Sequence, residues 1–382
     1  MFNFGFVVEQ ALGHITHYQN LKYWVDKDTS IEPNWMPIGE EKDIWEKLPV
    51  IRNNWSLQVS LRTRRQIKAA IKLQNLDALY FHTQTLGLFS IPLMHHIPTI
   101  ISTDATPINL DSIATGYSHK VGGNYLAERS KFHWNKSTYD AAAAIVTWSE
   151  WTKDSLIFDY GIPAEKVTVI PPGVDLEQWH FRPEKIQIHC TPANPLRLLF
   201  VGGDFARKGG YTLLSAFRNG LDRDCILDIV TKDISLKQEL SGIDNIRVHC
   251  DLDANSQPLK QLYEQADIFV FPTKADCFGI VVSEAIAAGL PVITTDVGPL
   301  PEQVEHQVNG LIIPPSDVAA LKNAVQTLKN DPAKMTAMAA ASRQIAEKRF
   351  DAKRNYDRVL SLMKSISQKS PQHINVKSLH HV

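Results

Sequence analysis

The chain has 382 residues, long for a single hydrophobic core and suited to two domains. Hydrophobic residues make up 44% and charged residues 21%, as in an average soluble protein, and a formal net charge of −1 gives no global reason to expect nucleic acid. The four cysteines, Cys190, Cys225, Cys250 and Cys277, show no C-x-x-C pair and no metal spacing, so they read as buried, reduced thiols in a cytosolic setting, with no metal site.

The N-terminus, Met1 to Glu9, lacks a basic n-region and soon turns polar, which predicts a strand rather than a signal peptide. No apolar run is long enough to span a bilayer, so a soluble or at most peripheral protein is expected. Gly13-His14-Ile15-Thr16 makes a turn before a helix that Thr16 would cap. Residues 61–73 are basic and helical, with Arg62, Arg64, Arg65, Lys68 and Lys72 set against Ile67 and Ile71. Such a helix fits an ordinary solvated face, and it also fits peripheral contact with anionic lipid. Residues 77–82 form a strand that ends in His82, a position that suits either a site or a structural hydrogen bond. Residues 98–103 form the next strand and lead to Asp104. Residues 146–154 read as a strand and a helix capped by Ser149, and residues 166–175 as the last strand and exit turn of the first domain. Residues 180–195, with Pro183, Pro192 and Pro195, read as a linker.

A strand over residues 196–202 opens the second domain, followed by Gly203-Asp204-Phe205-Ala206-Arg207-Lys208-Gly209-Gly210 and a helix from Tyr211. A strand, a glycine-rich turn with two cations and a helix N-terminus together form a diphosphate cradle. The turn is not G-x-G-x-x-G, so a dehydrogenase loses its main support. Strands at 225–230 and 246–248 and a helix at 259–266 lead to a short apolar strand ending at Pro272. A loop and a helix over 278–288 follow, closed by Gly289 and Pro291, and a buried strand over 291–295 completes a right-handed crossover.

The Asp276–Gly279 turn falls beyond the carboxyl end of a parallel strand, where ligands bind in such sheets. Gly279 lets backbone approach a ligand, and Asp276 and Glu284, eight positions apart, put one carboxylate at the helix mouth and one about two turns in. Carboxylates repel phosphate, so beside a phosphate site they suit sugar hydroxyls, and a sugar nucleotide satisfies both demands. The plainer alternative makes Asp276 a helix cap and Glu284 a solvated helix residue. Residues 309–315 give another turn and strand, and residues 350–366 a terminal helix; the polar tail 367–382 reads as loose.

Asp276-x7-Glu284, with Phe278-Gly279 inside it and Ala288-Gly289-Leu290-Pro291-Val292 after it, resembles the E-x7-E signature of retaining nucleotide-sugar glycosyltransferases of family 4 type, the glycosyl transferases group 1. The resemblance is clearest over residues 140–320 and thinner before 130. It implies an α/β GT-B fold, two Rossmann-like domains facing each other across a cleft. Residues 1–179 would be the acceptor side, 180–195 the linker, 196–349 the nucleotide-sugar-binding domain and 350–366 a terminal crossover helix.

The activity so implied is retaining transfer of a sugar from a nucleoside-diphosphate sugar, UDP- or GDP-linked, to a hydroxyl of a glycan, lipid-linked or small-molecule acceptor. By resemblance Glu284 would hold the ribose hydroxyls and Asp276 the sugar hydroxyls, with the backbone of Cys277, Phe278, Gly279 and Ile280 on the diphosphate or sugar. Gly13 stands where relatives carry a glycine-rich loop near the donor phosphates, and His82 matches a histidine that ends the family's strand. Lys208 matches the family's lysine; the usual arginine position is Gly203, with Arg207 substituting from the adjacent place. Asp104 occupies the position of a donor-contacting histidine, and Asp276 that of a glutamate. No D-x-D motif stands at a strand end, so Arg207 and Lys208 would stabilise the departing diphosphate in place of a metal, and no cofactor is expected. A nucleotide-sugar epimerase of the same fold and a non-catalytic nucleotide-sugar-binding relative are the rival readings. A cytoplasmic location, with or without membrane association, is expected.

Overall fold

The computed structural model describes residues 1–10, 13–39, 49–52, 54–113, 124–180 and 195–369. Most of the expected linker and tail, residues 181–194 and 370–382, therefore lies outside the described residues, as does Cys190. The chain divides into two compact units, residues 1–108, 121–172 and 353–382 in one and 109–120 and 173–352 in the other.

The first unit is built on six parallel strands: β1 (Phe2–Glu9), β2 (Ile31–Ile38), β3 (Ala78–Phe81), β4 (Thr99–Thr103), β5 (Ala144–Thr147) and β6 (Val167–Val169). Their order is β2-β1-β3-β4-β5-β6. The inner strands β3, β4 and β5 are buried along their whole length, as in a parallel sheet covered on both faces. β2 breaks that pattern. It carries Pro33 and Pro37, which lack the N–H a ladder needs, and it is accordingly an edge strand, paired among the described residues with β1 alone.

The basic helix runs over Trp55–Leu73, starting six residues earlier than its charge pattern suggests, where the Asn54 side chain accepts from Leu57 N–H at 3.2 Å. Its apolar face, Val59, Ile67, Ala70 and Ile71, is packed into the core of the unit. Arg62 and Arg64 donate to the carbonyls of Gly39 and Phe89 at 2.6 and 3.2 Å. Most of the helix's apolar face is thus packed into its own unit, while Trp55 and Leu73 at its two ends are exposed. Among the described residues, no helix is long and apolar enough to cross a membrane.

The terminal helix, Ala352–Lys369, follows a single π-turn over Ala346–Phe350 and belongs from Lys353 to the first unit. It is tied there by His17, whose Nδ1 lies 3.0 Å from Tyr356 Oη and whose Nε2 lies 3.2 Å from Tyr80 Oη. Burial, helped by the charge of His14, pushes the His17 pKa down to about 3, so the ring is neutral and one tyrosine donates while the other accepts.

The second unit repeats the architecture with β7 (Leu196–Val201), β8 (Cys225–Val230), β9 (Ile246–His249), β10 (Ile268–Phe271), β11 (Val292–Thr295) and β12 (Gly310–Ile313), in the order β12-β11-β10-β7-β8-β9, all parallel. The chain winds outward from β7 to β9, then returns to the other side of β7 and winds outward from β10 to β12. The order therefore reverses between β7 and β10, the place where open parallel sheets bind ligands. Cys225 and Cys277 are buried as expected, whereas Cys250 is only half-buried at the end of β9.

Candidate active site

Two loops meet at the reversal point of the second unit. The first joins β7 to the helix Gly210–Arg218. Its last turn approaches the second loop so closely that a Cβ at Gly209 would lie 1.8 Å from the Pro272 carbonyl oxygen, and the residue has φ +79°. Only glycine fits there. Lys274 N–H and the Thr273 hydroxyl both donate to the Arg207 carbonyl, at 2.9 and 3.3 Å, and stitch the loops together.

The stitching aligns the two cations with the second loop. Arg207 lies along it, with Nε donating to Asp204 at 3.0 Å and a terminal nitrogen to the Ala275 carbonyl at 3.0 Å. Lys208 donates from Nζ to Asp276 Oδ2, and both side chains are largely buried. The other Asp276 oxygen accepts from Phe278 N–H at 3.2 Å. Burial alone would raise the Asp276 pKa, but Lys208, the Phe278 N–H and Arg207 outweigh it and hold the carboxyl below the usual carboxylate range. Asp276 therefore does not cap the helix. The residue at the N-cap is Gly279, in the left-handed region at φ +81°, and the helix runs over Ile280–Ala287.

Glu284 is not a solvated helix residue either, being 5% exposed. Its helix is apolar on nearly every side, Ile280-Val281-Val282-Ser283-Glu284-Ala285-Ile286-Ala287, and is buried all round. Burial pushes the Glu284 pKa up to about 7, against the opposing effects of a hydrogen bond from Tyr263 and the charge of Lys260. The carbonyl of Phe278 is engaged by the Gln303 side-chain amide, and Gly203 has open space where a side chain would be.

In the first unit the strand order reverses between β1 and β3, and the predicted residues His82 and Asp104 gather near it. His82 follows β3 and is fully buried, its ring edge-on to His14 at 4.7 Å and packed on His17 and Trp148. Burial and the nearby His17 and His14 push its pKa well below the ordinary value, so it is neutral. His14 Nε2 stands 3.6 Å from Asp104 Oδ2, and Glu9, at the end of β1, receives a hydrogen bond from Thr83 at 3.4 Å. Burial, with Asp104 nearby, raises the Glu9 pKa against the opposing charge of His14 and the Thr83 bond. Thr16 lies inside the helix His14–Val25 and caps nothing. Gly13 takes the cap position with right-handed helical angles.

Sequence reasoning missed Glu9, His14 and Tyr263. The first two carried a usable signal, since both flank the carboxyl end of an identified strand. Tyr263 carried none beyond its place on an amphipathic helix. Among the described residues no group of histidines, cysteines and carboxylates is arranged to hold a metal ion.

Two family models match almost end to end: Glycosyltransferase Family 4 over residues 33–178 and Glycosyl transferases group 1 over residues 181–345. The D-inositol 3-phosphate glycosyltransferase of Pseudarthrobacter chlorophenolicus is 28% identical over 317 residues, 78% of this chain and 71% of that one. Across the first curated relatives the match spans from 50% to 71% of their length. Among solved structures, sucrose-phosphate synthase from Thermosynechococcus elongatus aligns with a TM-score of 0.77 at 17% identity, covering 97% of this chain and 100% of that one. An Anabaena protein, HepE, in complex with UDP and glucose aligns with a TM-score of 0.70 at 16% identity, over 96% of this chain and 100% of that one. The fold is GT-B, with two Rossmann-like units. The chain belongs to the family 4 type glycosyltransferases, the glycosyl transferases group 1.

Proposed function

We propose that the protein is a retaining, metal-independent glycosyltransferase that moves a sugar from a UDP- or GDP-sugar to an acceptor hydroxyl. The observation that carries the proposal is Glu284, a buried carboxylate inside the helix whose mouth holds Asp276 against Lys208. A polar group is sequestered at that cost when a ligand uses it. The Anabaena neighbour, solved with UDP and glucose, supports a nucleotide-sugar donor.

In this reading the ribose hydroxyls donate to Glu284, and the diphosphate lies against Lys208, the Gly203 backbone and the N–H groups of the Cys277–Ile280 turn. The diphosphate competes with Asp276 for Lys208 and frees Asp276 to accept from a sugar hydroxyl. Arg207, held by Asp204 and Ala275, supports the loop and adds positive potential. The acceptor oxygen bonds to the anomeric carbon as the bond from that carbon to the phosphate oxygen breaks, and the acceptor proton passes to the leaving phosphate. Lys208 stabilises the negative charge that develops there.

Incubating the purified protein with UDP- and GDP-sugars, with and without a panel of hydroxyl acceptors, tests this. Transfer with the donor's anomeric configuration preserved, seen by NMR, is expected. A product formed without acceptor, with the sugar altered and still nucleotide-linked, would make it an epimerase.

A further inference from the structure

Tyr263 lies on the helix Gln257–Gln265, which leads into β10. It is fully buried, edge-on to Trp179 at a ring separation of 4.9 Å and stacked on Phe269 at 5.6 Å. Its hydroxyl donates to Glu284 Oε2 at 2.9 Å, and the Val281 carbonyl stands farther off at 3.4 Å. Among the described residues this is the one hydrogen bond the carboxylate has, and Glu284 Oε1 takes none.

We infer that Tyr263 is a positioning residue for the donor: its hydroxyl pins one oxygen of Glu284 and leaves the other presented to the ribose of the nucleotide. The inference rests on the role proposed above for Glu284. A glutamate has three rotatable side-chain bonds, and a buried one with a single clamped oxygen has given up that freedom before the ligand arrives. The clamp also favours the ionised form, which accepts from both ribose hydroxyls, whereas the neutral acid turns one oxygen into a donor.

The remaining ionisable groups around the helix are disposed to leave this control to Tyr263. Lys260, one turn before Tyr263, is buried and donates to Gln178 at 2.6 Å, so it acts on Glu284 only through its charge. Helix Pro332–Ile345 brings Arg343, which donates to the Ala287 and Trp179 carbonyls and to Glu347. The turn Ala346–Phe350 brings Glu347, Lys348 and Arg349, of which Arg349 donates to the Glu302 carbonyl. β10 and β11 bring no ionisable side chain.

The test is the dissociation constant of UDP and of GDP from pH 5.5 to 9 for wild type, Tyr263→Phe, Glu284→Gln and the double variant. In wild type, affinity should rise with pH through a midpoint near 7, the pKa of Glu284. Tyr263→Phe removes a donor to a charged acceptor, so the midpoint should move up by about one unit. Affinity at pH 7 then falls about fivefold and recovers at pH 9. In the Glu284→Gln background the same change should do nothing further. Should the phenylalanine variant fail to fold, 3-fluorotyrosine at position 263 keeps the shape and strengthens the donor, and the midpoint should move down. A pH-independent loss of affinity, or an unmoved midpoint while Glu284→Gln weakens binding, overturns the positioning role alone. Binding of both nucleotides to Glu284→Gln as tightly as to wild type overturns the role of Glu284 and this inference with it.

Discussion

Lys208 and Asp276, 68 positions apart in sequence, form an ion pair across the two loops at the strand-order reversal of the second unit. The acidic residue that departs from the family's glutamate is therefore the partner of the cation that matches it. The two should act as a unit. Lys208→Ala should lower turnover on the order of 10- to 100-fold while donor binding changes less, because the leaving diphosphate gains charge only as the bond breaks. Asp276→Asn should lower turnover too and also lower the melting temperature, because it leaves Lys208 largely buried without its charge partner even though asparagine can still accept from Phe278 N–H. The double variant should be far less impaired than the product of the single effects. Additivity within about 0.5 kcal/mol would show the residues to be independent.

Glu284→Gln should weaken nucleotide binding and yet stabilise the fold at neutral pH. The folded-state pKa of Glu284 is raised from 4.5 to about 7, so the folded form binds more protons between those values than the unfolded form does. Stability associated with Glu284 is therefore full below pH 4.5 and is lost as pH rises through 7, an effect on the order of 3 kcal/mol. Chemical denaturation at pH 5 and pH 8 checks this. The glutamine variant should gain on wild type between the two, and parallel curves would mean that Glu284 titrates normally.

Gly203 and Gly209 stand six residues apart and should respond oppositely to alanine. At Gly209 the added methyl would strike the Pro272 carbonyl and the backbone would be strained, so Gly209→Ala should cost more than about 1 kcal/mol of stability. At Gly203 the added methyl would meet nothing within 4 Å. Gly203→Ala should melt as wild type does, and any loss of donor affinity then reports a ligand approaching that backbone. Equal melting temperatures for both variants would contradict the loop geometry.

With Lys208 and Arg207 supplying the positive charge at the diphosphate, as proposed, transfer should survive excess EDTA. Complete loss restored by Mg²⁺ or Mn²⁺ would assign that charge to a metal instead.

Much of the second unit was legible because parallel strands buried on both faces read as short apolar runs. Residues 225–230 became β8 with the same bounds, and residues 196–202 became β7 one residue shorter, Leu196–Val201. β2 was not legible, since Pro33 and Pro37 argue against a strand everywhere except at an edge, and edge position is a property of the sheet. The roles of charged groups were harder still. The Lys208–Asp276 pair depends on two loops brought together by Gly209, and the clamp on Glu284 depends on a tyrosine 21 positions earlier. The burial of Glu284 did leave a trace. A helix reading Ile-Val-Val-Ser-Glu-Ala-Ile-Ala has no polar face to turn to water, so its one acid had to be inside.

The first unit is assembled from both ends of the described chain, since the helix bearing Tyr356 closes on His17 and Tyr80. Domains usually form in order as the ribosome delivers them. Here the nascent first unit would wait, with His17 lacking one of its two partners, while the whole of the second was translated. Synthesis in a cell should thus expose an unfinished surface for the time taken to make residues 173–352, and a chaperone-dependent yield is the expected price of that topology. Supplying residues 352–369 as a separate peptide to a chain ended at residue 351 should restore native melting on mixing, which checks that this helix completes the first unit.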